Sequence, residues 1–180
     1  PASVSVHLGL ALIFASTLLI MRLKLCASVA VKYAGTLYRA LIATIILVYG
    51  QLLLGAWVAA SHAGLACPDW PLCFGSWLPQ DMGPLVNLQV AHRFVAYAIL
   101  VAIASCCWIS RKAQLGKYLR LVLFITGVIT FAQVLIGIGN IFLAMPQFLR
   151  IAHLGGASLL FLMLVVTTYE IHRARISKSY

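Results

Sequence analysis

His92 and His153 are the residues of this chain best placed to do chemistry together. Each lies in a long apolar stretch, about six or seven residues from its start, which at about 1.5 Å per helical residue puts both roughly 10 Å inside. A polar ring in hydrocarbon costs free energy, so an intramembrane histidine is a functional residue by default. Two neutral imidazoles at one depth on facing helices are the arrangement that axial ligation of a heme iron requires, whereas one alone would be read as a packing hydrogen bond. Arg93 follows the first histidine on the outward side. Its guanidinium could grip a heme propionate bidentately or snorkel to lipid headgroups. Gln89, three residues before His92, shares its helix face one turn further out. Its amide can hydrogen-bond to a cofactor but cannot shuttle a proton as a carboxylate would. None of these residues is assigned as catalytic.

The second group is the segment from Ala63 to Gly75, which holds Cys67-Pro68-Asp69-Trp70-Pro71-Leu72-Cys73. Two cysteines so close, on a side that the charge pattern below makes oxidising, predict a structural disulfide pinning a Pro- and Trp-bearing loop. The spacing is wrong for a redox CxxC pair, and no nearby His completes a zinc site. Cys26, Cys106 and Cys107 read as ordinary small residues, and His62 and His172 as solvated.

The elements that must carry these residues follow from composition. With 63% hydrophobic and 9% charged residues and a mean hydropathy of +1.04, water is the wrong solvent for the chain. Five apolar stretches, near residues 3 to 22, 40 to 61, 85 to 109, 118 to 143 and 147 to 170, can each cross a hydrocarbon core of roughly 30 Å. The fold class is therefore all-α, a polytopic transmembrane bundle of five helices. A net charge of +10 would suggest nucleic acid in a soluble protein, but the cations cluster at alternate helix ends. Arg22, Lys24, Lys32 and Arg39 join the first two helices. Arg111, Lys112, Lys117 and Arg120 join the third and fourth, and Arg173, Arg175 and Lys178 follow the fifth. By the positive-inside rule these segments are cytoplasmic, and the loop from 62 to 84 lies outside. The basic excess records topology, and nucleic acid is excluded as a partner in favour of the lipid membrane.

Internal similarity organises the helices. His7-Leu8-Gly9-Leu10-Ala11 resembles His153-Leu154-Gly155-Gly156-Ala157, and Gln51-Leu52-Leu53-Leu54-Gly55 resembles Gln133-Val134-Leu135-Ile136-Gly137. Each Gln helix is followed by a His helix. Residues 40–173 thus form a four-helix heme-binding unit of approximate two-fold symmetry. Residues 1–24 are the last helix of a preceding unit, 25–39 a cytoplasmic loop and 174–180 a cytoplasmic tail. Starting at Pro1, the chain reads as a fragment or a processed chain. Gln51 and Gln133 could hydrogen-bond across helices, and Gly55, Gly137 and Gly139 permit close approach of a neighbouring helix or a flat macrocycle.

The loop with Gly55-Ala56-Trp57-Val58 before it, the segment from Gln89 to Arg93, and the stretch from Gly137 to Ala157 together resemble the heme A synthase family over essentially the whole chain, in order. That resemblance implies two related four-helix halves, each with a His pair, in a multi-pass inner membrane protein. It implies oxidation of the C8 methyl of heme O to the formyl of heme A, with a bound heme b serving electron transfer. On it His92 and His153 match the C-terminal pair that ligates heme b, and His7 matches the second His of the N-terminal pair. The family's N-terminal half carries a Glu three residues before its first His, where this chain has Gln89. This chain alone is therefore expected to be inactive. Heme O is the implied substrate, and the implied partners are heme O synthase, cytochrome oxidase assembly factors and a second copy of the chain. The alternatives that stay open are a membrane b-type cytochrome without oxygenation activity, a four-helix thiol oxidoreductase and a cofactor-free assembly factor.

Overall fold

A computed structural model describes residues 1–26, 31–32 and 35–176. Among them, five helices are long and apolar enough to cross a membrane. They are α1 (Ala2–Lys24), α2 (Gly35–Ala60), α3 (Pro84–Ser110), α4 (Lys117–Phe142) and α5 (Gln147–Ile176). In hydrocarbon every backbone N–H and C=O must be satisfied within its own segment, which leaves the helix as the form these stretches adopt. The chain is an all-helical, multi-pass membrane bundle.

Two boundaries differ from those expected. The second helix begins at Gly35 rather than near residue 40, because Leu37 and Leu41 are fully buried and draw the preceding turn into the helix. The fifth runs on to Ile176, so positions 174 to 176 of the expected tail are helical, while 177–180, with Lys178, lie outside the described residues. Arg173 explains the extension. Its guanidinium donates to Leu23 O at 2.7 Å and Cys26 O at 2.8 Å, capping the end of α1, and pairs with the buried Glu170 at 3.2 Å. A short antiparallel pairing of β1 (Val31–Lys32) with β2 (Gln114–Leu115) ties the two loops of the same end together.

Helices α2, α3, α4 and α5 close a ring in which each touches the next and α5 returns to α2; α1 lies outside it, against α2 and α5. The packing is uneven along the membrane normal. Leu37, Leu41, Leu119, Leu164 and Ile171 are almost completely inaccessible and belong to one cluster that fills the basic end of the bundle. On α5 no residue before Leu160 is buried. The opposite end holds glycines, glutamines and the two histidines instead. That end is where a ligand would meet the fewest packed side chains.

Candidate functional site

His92 stands on α3 and His153 on α5, about 12 Å and about 9 Å in from the starts of their helices. Each imidazole leans on a glycine of the Gln helix that precedes it. A Cβ on Gly55 would lie 3.1 Å from His92 Cε1, and one on Gly137 would lie 3.5 Å from His153 Cε1. The two glycines sit four residues beyond Gln51 and Gln133, so the repeat GlnxxxGly is a device for seating a ring against helix backbone.

Buried polar atoms normally have partners. Here the Nδ1 atoms of both His92 and His153 are buried without one, as are Oε1 of Gln51 and Oε1 of Gln133. These four atoms occupy two pairs of repeat-related positions. The sequence did not reveal one bond that matters here: Gln51 Nε2 donates to the backbone oxygen of His92 at 2.9 Å and lies 3.5 Å from His92 Nε2.

Arg93 finds partners other than those expected of it. It is buried, and it donates to three loop carbonyls: Leu72 O at 2.6 Å, Cys67 O at 2.8 Å and Asp69 O at 2.9 Å. Gln89, one turn away, donates to Gly64 O at 3.2 Å. Both residues flanking His92 on its outer side are thus used to hold the outer loop down on α3.

The loop is closed on itself as well. Cys67 and Cys73 are both buried, with their sulfurs at bonding distance and their Cα atoms 5.0 Å apart. Asp69 accepts hydrogen bonds from Phe74 N at 2.8 Å and Gly75 N at 2.9 Å, spanning the turn between the cysteines. The Gly75 N–H chiefly holds this exposed carboxyl below the usual range; desolvation opposes it, and the Phe74 N–H adds to the lowering. In oxidised membranes neither cysteine is expected to alkylate until a reductant is added, when both should; mass spectrometry reads the difference. Free alkylation of both without reductant would exclude the bond. Closing so short a ring contributes on the order of 2 kcal/mol.

His7 is not brought to this site. It is exposed on α1 beside Val6 and Leu10, while Ser5, Gly9 and Leu12 of the same helix face α2 and the bundle. Ser5 Oγ donates to Leu53 O at 3.1 Å, and Gly9 admits Tyr49. His62 and His172 are likewise apart and exposed, His172 stacking on Tyr38 with centroids 5.7 Å apart.

Residues 1–165 match the profile of a family described as "Cytochrome oxidase assembly protein". Among curated relatives, a protein named heme A synthase from Parvibaculum lavamentivorans is 31% identical over 178 residues, covering 93% of this chain and 50% of the relative. One of the same name from Dinoroseobacter shibae is 35% identical over 141 residues, covering 72% and 35%. Another, from Caulobacter vibrioides, is 32% identical over 138 residues, covering 70% and 40%. The chain thus spans about half the length, or less, of the curated relatives it matches.

Proposed function

Because the chain belongs to the cytochrome oxidase assembly family that includes the heme A synthases, we propose that it is the heme b-binding half of such an oxidoreductase. The observation that carries this reading is the pair His92 and His153, at matched depth, each seated on a glycine and each with a buried ring nitrogen that no protein group satisfies. A metal-bound macrocycle between the helices answers that deficit. When bound, a heme held by the two histidines would supply one-electron transfer. The residues of the chain then have distinct tasks. His92 and His153 hold the iron, Gly55 and Gly137 clear room for the rings, and Gln51 and Gln133 offer acceptors at mid-membrane. Arg93 and Gln89 fix the outer loop above the pair, and that loop faces the outside of an inner membrane by the positive-inside rule.

The substrate reaction, oxidation of the C8 methyl of heme O to a formyl, requires a second site, and His7 on the outer face of α1 is one side of it. In this reading a heme b held by His92 and His153 would supply electrons for that site. A membrane electron carrier without oxygenation chemistry is the second reading. It is favoured for this chain taken alone by the absence of a carboxylate beside either histidine. Gln89 stands one turn from His92, and Glu170 lies about 25 Å along α5 from His153, paired with Arg173.

Heme extraction and chromatography from cells making heme O should distinguish the two. The purified chain is expected to carry low-spin protoheme but to yield no heme A, while a full-length relative in the same cells yields heme A. Heme A produced by this chain alone would show that the substrate site has been placed on the wrong side, and a chain purified without heme would overturn the cofactor reading itself.

A further inference from the structure

The two histidines are related by the internal repeat but not held alike. Gln51 reaches from α2 to the carbonyl oxygen of His92 at 2.9 Å, and the same amide nitrogen stays 3.5 Å from the ring's Nε2. Its counterpart Gln133 goes elsewhere. The Gln133 amide lies against Gly156, three residues past His153 and so close that any Cβ there would overlap it. Among the described residues no hydrogen bond joins Gln133 to His153. The corresponding position three residues past His92 is Val95. The two amides thus break the symmetry of the repeat: one bonds to the backbone of a histidine and the other lies against Gly156.

We propose that Gln51 is a positioning residue for His92, and that the two axial ligands are therefore inequivalent: the α3 backbone at His92 is tied to α2 by the Gln51 amide, and among the described residues no such bond joins Gln133 to His153. The inference rests on the bis-His reading above. Groups that orient a metal ligand fix its ring plane and tune the metal, so loss of the amide should be seen at the iron even where the fold survives. In hydrocarbon no water is at hand to replace the lost donor. The buried Gln51 Oε1 does not contribute to the hold, because it has no partner.

The test compares the wild-type chain with Gln51→Met and Gln133→Met, which keep side-chain length and remove the amide. Heme content, the low-temperature EPR spectrum of the oxidised protein and the midpoint potential are read for each. Gln51→Met is expected to retain heme while its low-spin g values shift and broaden and its potential moves; Gln133→Met is expected to match the wild type in both. A Gln51→Met spectrum and potential superimposable on the wild type, or equal changes in the two variants, would overturn the proposal while leaving the heme reading intact. A wild-type chain without low-spin heme would overturn the heme reading, and the proposal with it. If Gln51→Met loses its heme, Gln51→Glu, which keeps a donor when its carboxyl is protonated, is expected to restore both the heme and the wild-type signal. Failure of that rescue also overturns the proposal.

Discussion

On the proposed heme b reading, replacing either His92 or His153 by alanine is expected to abolish the low-spin heme spectrum of the purified chain. A coordinate bond to iron has no substitute among neighbouring side chains, because Gly55 and Gly137, which the two rings touch, bring only backbone. Gln51, the polar side chain nearest His92, presents an amide nitrogen that donates and cannot ligate. Each single variant should therefore lose heme or keep it with one axial position vacant, a change visible in both absorption and EPR spectra. His7→Ala, His62→Ala and His172→Ala should leave the spectrum as it is, since all three residues are exposed and away from the pair. An unchanged low-spin spectrum in both His92→Ala and His153→Ala would sink the assignment. Loss of heme in His7→Ala would show that α1 turns the other face toward the cofactor.

Arg93→Met should destabilise the chain by about 3 kcal/mol, the largest loss expected from any residue that does not touch the cofactor. Three carbonyls, of Cys67, Asp69 and Leu72, take their hydrogen bonds from this one guanidinium. A hydrogen bond to a charged group contributes about 1.5–3 kcal/mol, and water at the membrane surface would replace part of what is lost. Arg93→Lys should rescue little, because one ammonium cannot span three acceptors held in a fork. Thermal unfolding in detergent measures the cost, and limited proteolysis of the loop measures its release. Equal stability of Arg93→Met and the wild type would mean that the loop is held by the cysteine pair and Asp69 without help from α3.

The membrane class, the number of crossing helices and the pairing of Gln helix with His helix could all be read from the sequence. The physical reason is that each depends on short-range patterns: apolar length against bilayer thickness, cations at alternate ends, and a repeat spacing of four that puts Gln and Gly on one face. The depth of His92 and His153 followed from counting residues along a helix of fixed rise. Partner choice was decided by tertiary structure, because it depends on which groups distant segments bring within about 3 Å of each other. Arg93 could be placed near the outer surface, but nothing in its neighbours said that a loop more than twenty residues upstream would offer it three carbonyls. Likewise the sequence made Gln51 and Gln133 equivalent. In the folded bundle one of them bonds to the backbone of His92 and the other lies against Gly156. The early start of α2 and the late end of α5 belong with these. Leu37 is buried and Arg173 caps α1 only once the helices are side by side, whereas hydropathy alone stops a helix where the apolar residues stop.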